Sequence, residues 1–323
     1  MKGRLFFVFF MALTLGFGAV PAPADEFPSR PLTLQVAMPA GGSTDVGARI
    51  LASIAEKMMG QPIVVVNKVG AGGQIGWTEL ARQKPDGYYL GFLMLPSLNT
   101  CILDPDRKAT FNLDSFVPII NQVSDPGLIW VKADSPYKTL KDLLDDARKS
   151  PGVIRASTTG ILTDDHLAIY MMEQAAGVQF RVVHLQGAAP QLTATLGGQV
   201  DVSFDNVGSV APRVKAGELR GLAVMDSERS KFLPDVPTTA ELGYPTVISS
   251  STRGVAGPAG IPEPIVKKLQ TVLKKAMEDP EHIKKMDQAG LAIKPMLGEE
   301  YGKFLRQINE KAKPLVESSR KSK

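Results

Sequence analysis

The chain has 323 residues, 44% hydrophobic and 22% charged, with a formal net charge of +4 at pH 7. That mild charge comes without Arg/Lys clusters or aromatic platforms, which excludes nucleic acid as an expected partner. Cys101 is the only cysteine, so no intramolecular disulfide can form; stability must come from buried area, and the length suits two α/β domains.

The first 24 residues read as a cleaved secretory leader. Lys2 and Arg4 precede the apolar run "LFFVFFMALTLGFGAV", and Ala22-Pro23-Ala24 offers a small-x-small cleavage site. The expected location is therefore the periplasm. Beyond the leader, "LTLQVAM" (32–38) alternates at period two and predicts a strand. The next segment predicts a helix, with Val46, Ile50, Leu51, Ile54 and Met58 on one stripe and a stop at Gly60. "PIVVVN" (62–67) reads as a strand of the kind buried in a parallel sheet. Residues 77–83 read as helix, 88–95 as strand, and "PSLNT" as the polar loop after it.

The alternation resumes with a helix at 138–150, a strand at 153–157, and the helix "HLAIYMMEQAA" ending at Gly177. Strands at 180–185, 200–204 and 219–225 follow, the first two each leading into a short helix. A Pro-rich connection at 234–245 leads to "TVISSSTRGV" and to two or three amphipathic helices from Pro262 onwards. Strands alternating with helices predict βαβ units and mostly parallel sheets. The units fall into two sets, before about 122 and between about 126 and 245, with crossings near 124–127 and 244–247. Loops after the strands of open α/β sheets bind ligands, so two facing sets would close one cleft by a hinge.

"PAGGSTD" (39–45) enters a helix through two glycines, two hydroxyls and a carboxylate, which suits an anion held at a helix N-terminus. "GAGGQIG" (70–76) fails as a dinucleotide fingerprint because Ile75 stands where G-x-G-x-x-G needs glycine. Its glycines serve either ligand contact or tight turn packing. No nucleophile elbow, H-E-x-x-H or Walker A pattern is present, and Asp164, Asp165 and His166 lack metal-ligand spacing. No enzyme, metal or cofactor is expected. His184 and His282 read as structural. His166 either donates to a carboxylate in the cleft or caps the neighbouring loop. Asp205 either N-caps the following helix or accepts from a ligand. Arg253 either grips a carboxylate or forms an interdomain salt bridge.

Five ordered blocks resemble the extracytoplasmic receptors of the tripartite tricarboxylate transporter class, the Bug receptors. They are "FPSRPLTLQVAMPAGGSTDVGARILA", "MGQPIVVVNKVGAGGQIG" with "KPDGYYL", "STTGILTDDHLA", "QGAAPQLTATLGGQVDVSFDN" and "VAGPAGIPEPIVKKL". The resemblance implies an α/β, two-lobed, type II-like periplasmic binding protein with its ligand cleft between the lobes. Lobe 1 would comprise 25–124 and 247–323, and lobe 2 would comprise 125–246. The ligand implied is a small organic acid, a di- or tricarboxylate or an aromatic carboxylate, and the partners are membrane permease subunits of a transporter. A monomer is expected. Ligand-sensing for a two-component system and a periplasmic enzyme on a similar fold are the alternatives. Carried over position by position, the ligand-binding residues implied are Gly41, Ser43, Thr44, Gly73, Ser97, Thr158, Thr159, His166, Ala188, Asp205 and Arg253.

Overall fold

The chain's longest strand is one that no periodicity predicts. In a computed structural model describing residues 27–321, β4 runs unbroken over Phe116–Lys132; the expected leader lies outside the described residues. Two prolines and a glycine (Pro118, Pro126, Gly127) hide the strand, because proline cannot donate to a ladder and normally demotes such a run. Register shifts beside Pro118 and Asn121 absorb the irregularity. What drives the strand inside is its apolar content: Ile119, Ile120, Val123, Leu128, Ile129, Trp130 and Val131 are all buried.

β4 joins two groups of strands. Elements before it are β1 (Leu32–Val36), α1 (Ser43–Met59), β2 (Ile63–Asn67), α2 (Gln74–Ala81), β3 (Tyr89–Leu95) and α3 (Ser97–Leu103). After it come α4 (Leu140–Lys149), β5 (Arg155–Thr158), α5 (Asp164–Ala176), β6 (Arg181–His184), α6 (Ala188–Leu196), β7 (Val202–Asn206), α7 (Val207–Lys215) and β8 (Leu219–Met225). The chain ends with β9 (Ser250–Pro258), α8 (Glu263–Glu278), α9 (Pro280–Gln288), β10 (Ile293–Leu297) and α10 (Gly298–Lys321). The first half of β4 pairs with β9 and β10, and β9 continues the sheet through β3 and β1 to β2. The second half pairs with β7 and β8, and β7 leads to β5 and β6.

The expected two-lobed α/β fold is thus present, with sheets that are mixed. β2–β1–β3 and β7–β5–β6 run parallel as the βαβ pattern predicts, whereas every strand against β4 is antiparallel. β4 and β9 traverse the same junction in opposite senses, so their pairing has to be antiparallel. β2 also departs from expectation: it pairs only with β1, and its Val64 is 50% exposed as an edge-strand residue.

α1 forms where its stripe predicts, but of that stripe only Leu51 and Ile54 are buried; Val46 and Ile50 are half-buried, and Met58 faces solvent while Met59 is buried. Ala48, Leu51, Ala52, Ile54 and Ala55 are buried against β1, β3 and α8, each large side chain contributing about 1.5–3 kcal/mol. Gly60, at φ 73°, stops the helix and donates its N–H to Glu56 O. α8 adds Leu269 and Leu273 to that core, while α10 adds Tyr301 and Leu305 to the neighbouring one around Trp77. On the other half of β4, α4 and α5 cover β7 and β8 through Leu143, Leu144, Ile169 and Met172.

Candidate ligand-binding site

The glycine-rich turn after β1 places an open helix end at the centre of the molecule. Gly41 takes φ 81°, and its N–H donates to Asp45 Oδ2 at 2.9 Å. Asp45 also accepts from Arg49 Nε and from Asn67 Nδ2. Burial alone would raise its pKa, but these hydrogen bonds outweigh it and hold the carboxyl below the ordinary value. The carboxylate of "GGSTD" therefore folds the turn, leaving Ser43 and Thr44 at the start of α1 with no side chain capping them.

The same construction recurs around one cleft. α2 starts at Gly73, α5 at Thr163, α6 at Gly187 and α7 at Asn206, and none of these N-terminal residues caps its helix by a side-chain hydrogen bond. All four, together with Gly42, Ser43 and Thr44 of α1, line the cleft. By contrast α4, away from the cleft, is closed by a Thr139–Asp142 capping box. Helix N-termini carry partial positive charge, so their convergence favours an anion; at α7 part of that role is already filled by the Asp125 carboxylate, which accepts from Gly208 N. The enclosed space is about 70 Å³, room for only a few waters or a small solute.

The two walls touch. Ser43 Oγ lies 3.4 Å from Ser209 Oγ, and Thr100 Oγ1 donates to Leu162 O at 2.6 Å. Arg107 bridges the walls, donating from Nη1 to Ala71 O and from Nη2 to Ile161 O, each at 2.7 Å. In the loop before α2, Gly73 sits at φ 99° with the Trp77 ring so close that a Cβ would meet it at 2.6 Å. This stretch is both a tight packing turn and part of the cleft lining.

The charged floor is unbalanced. Arg253, on β9, is 2% exposed. Its Nε donates to Ser251 Oγ, its Nη2 donates to Asn206 Oδ1 at 3.0 Å and lies 3.1 Å from Asp125 Oδ2, and its buried Nη1 has no partner. Asp164 Oδ2 accepts from Asn206 Nδ2, and Asp165 Oδ2 accepts from Thr159 N and Oγ1. Asp205 Oδ1 accepts from Asn206 N and Ser209 Oγ, while its Oδ2 is buried without a partner. Burial pushes Asp205 up to about 7. It also pushes Asp125 up to about 6 against the pull of Arg253, and raises Asp164 and, with help from its acidic neighbours, Asp165.

These shifts have a stability consequence. The four aspartates hold protons in the folded state to higher pH than in the unfolded chain, so their contribution declines as pH rises through the raised values. Buried His282 is pushed down to about 4 and works in the opposite sense, but only below its ordinary value of about 6.5. Between pH 6.5 and 8.5 the aspartates act alone among these groups. The melting temperature of the ligand-free protein is therefore expected to fall over that interval, by about 2 °C. A flat or rising profile by differential scanning calorimetry would contradict the buried-acid account.

Of the residues expected from sequence, Ser43, Thr44, Gly73, Thr159, Ala188, Asp205 and Arg253 line the cleft. Gly41 lies one position outside it, in the turn closed by Asp45. Ser97 is buried as the first residue of α3, a helix formed where a loop was expected. Thr158 turns inward, its Oγ1 at 2.9 Å from His184 Nδ1. His166 Nδ1 accepts from Leu162 N, the loop-capping alternative, and its ring packs edge-on against His184. Asp205 precedes the N-terminal residue of α7 instead of capping it. Lining residues not singled out from sequence include Asp164, Asn206, Ser209, Met94 and Gln186. Asn206 and Ser209 were detectable as polar residues in the loop after β7, whereas Asp164 reads as an ordinary first-turn acid.

A family model described as the tripartite tricarboxylate transporter family receptor, TctC, matches residues 47–320. A Cupriavidus necator protein of the gbd 5′ region is 34% identical over 308 residues, 94% of this chain and 92% of that one. The BugT protein of Bordetella pertussis is 33% identical, with 80% of each chain covered. A solved structure of a periplasmic transporter superposes with a TM-score of 0.86 at 31% identity, over 91% of this chain and 98% of that one. Two Rhodopseudomonas palustris proteins are each 26% identical, MatC with bound malate and another with adipate. Their TM-scores are 0.81 and 0.85, over 90% of this chain and 100% and 98% of theirs.

Proposed function

The chain belongs to the tripartite tricarboxylate transporter receptor family, and on that premise we propose that it captures a small organic dicarboxylate between two lobes and delivers it to membrane permease subunits. The lobes are 25–124 with 247–323, and 125–246. The observation that carries this reading is the convergence on one cleft of five helix N-termini whose N-cap residues make no side-chain cap, with Arg253 and its unpartnered Nη1 also on the lining. One carboxylate would sit at the start of α1, on Ser43, Thr44 and the facing Gly73 turn. Arg253 would receive the other, through Nη1 alone, since Nη2 is already engaged.

The malate and adipate bound in the two R. palustris relatives set the size of acid to try. Closing the lobes would desolvate the acid, and the closed form would present the permease with a surface the open form lacks. Among the described residues no helix is long and apolar enough to cross a membrane, so membrane delivery requires the permease partner.

The test is a thermal-shift panel on residues 25–323, unfolded and refolded to shed carried ligand. It should contain malate, succinate, adipate, citrate, nicotinate and aspartate, each with its neutral amide. At a thousandfold excess over the dissociation constant, binding adds about 4 kcal/mol, a shift of several degrees. A shift with an acid and not its amide is expected. Refolded protein that responds to none of the acids would end the carboxylate reading.

A further inference from the structure

Resting on that carboxylate reading, we infer that Asp205 takes up a proton when the acid binds and donates it, as a neutral carboxyl O–H, to an oxygen of the ligand. The geometry isolates one oxygen for this role. Asp205 lines the cleft; its Oδ1 is already engaged by Asn206 N at 2.7 Å and Ser209 Oγ at 3.0 Å, whereas its Oδ2 is buried and unpartnered. Arg253 Nη1 is the second buried, unpartnered group on that lining, so a single small acid can satisfy both.

The surrounding charges leave a dianion few alternatives. From β4, Asp125 already faces Arg253 and accepts from Gly208 N; from α5, Asp164 and Asp165 add two further carboxyls. From β9 comes the single guanidinium, and on α1 the nearest charges, Asp45 and Arg49, are paired with each other. The lining itself holds Asp164, Asp205 and one Arg. A ligand carboxylate placed against an ionised Asp205 would set two unpaired oxygens face to face. One proton from solvent turns that contact into a hydrogen bond and conserves charge, since the complex gains the ligand anion and one H⁺. Burial has already raised Asp205 to about 7 in the ligand-free protein, and a neighbouring anion raises it further.

The test is isothermal titration of the refolded full mature chain with L-malate and adipate at pH 8, in HEPES and in Tris. The two buffers differ in ionisation heat, so the difference between their measured enthalpies counts protons. Uptake approaching one proton per ligand is expected, with affinity falling about tenfold between pH 8 and 9. Asp205→Asn places a permanent donor at the same position. It should abolish the uptake and the pH slope, and bind at least about tenfold more tightly than the parent at pH 9. Asp164→Asn should keep the uptake.

Binding without proton uptake overturns the inference while leaving the carboxylate reading intact. So does uptake that persists in Asp205→Asn, or L-aspartate binding more tightly than L-malate with no uptake, which would make Asp205 an ammonium acceptor. If Asp205→Asn does not fold, the proton count of the parent protein decides alone. No heat with any acid between pH 5 and 9 removes the carboxylate reading itself, and this inference with it.

Discussion

Arg253→Met is expected to lose carboxylate binding and to lower the melting temperature on the order of 10 °C at pH 8. Among the described residues the guanidinium is the one positive group paired with Asp125, 3.1 Å away, and both are buried. Removing one member of a buried pair leaves the other charged and unsolvated, which costs about 3–5 kcal/mol; in a protein of this size that corresponds to the stated shift. Asn206 loses a donor as well, because its Oδ1 accepts from Nη2. The damage should depend on pH in a defined direction. Asp125 already titrates at about 6, and without Arg253 that value rises further. At pH 5 the carboxyl is then neutral and needs no ion partner, so the variant should approach the parent protein in stability there and fall away from it as pH rises. Adding Asp125→Asn should recover much of the stability at pH 8, since no isolated charge remains, without restoring binding. Calorimetry and ligand titration on the three proteins separate the two roles. Undiminished binding by Arg253→Met would remove Arg253 from the site, and undiminished stability would show that Asp125 finds another partner.

That pairing also shows what could and could not be read from the chain. Arg253 stands out in "SSSTRGVAGP" as a charge among hydroxyls and glycine; the structure forms the salt bridge, through Nη2 to Asp125, and leaves Nη1 buried without a partner, the nitrogen on which the proposed ligand contact rests. Asp125 falls in the expected crossing near 124–127, and that stretch is the middle of strand β4, where its partners are distant in sequence. Local signals worked where local physics decides. α1 ends at a left-handed glycine as expected, and the Gly-, Ser-, Thr- or Asp-rich segments after β1, β2, β5, β6 and β7 open helices at the cleft, whereas the one after β3 opens α3 away from it. They failed for β4 and β10, whose prolines suppress the strand signal and whose pairing is decided by long-range contacts. They also failed for the direction of side chains within loops that were correctly placed. Thr158 and Thr159 are adjacent, yet the first bonds inward to His184 and only the second meets the cleft. That difference of one residue falls where β5 ends at Thr158 and the loop before α5 begins, and no motif records it.

Joining Ser43 to Ser209 is expected to stop ligand exchange. Their hydroxyl oxygens lie 3.4 Å apart, one from α1 and one from α7, on opposite walls of the cleft. In Ser43→Cys/Ser209→Cys the longer C–S bonds take up part of the gap to an S–S bond of about 2.0 Å. The native Cys101 should not compete, because it is buried and burial pushes its thiol up to about 11. The crossing strands β4 and β9 form a continuous pair between the lobes, so hinge motion there would leave the sheets intact. What must break on opening includes the Ser43–Ser209 approach, Thr100 to Leu162, Arg107 to Ile161, Arg253 to Asn206 and Lys231 to Asp287. Replacing the first by a covalent bond removes the open state from the exchange path. Protein oxidised with malate or adipate inside should release it at least about 1000-fold more slowly than the reduced form, and protein oxidised empty should bind none. Reduction should restore both. Radiolabelled-ligand exchange with and without dithiothreitol measures this directly. If the oxidised protein, its disulfide verified by mass spectrometry, exchanges ligand at the reduced rate, then the walls do not part for entry. The division of the chain at β4 and β9 would then describe two cores of one rigid body, and capture would have to occur through the cleft mouth as it stands.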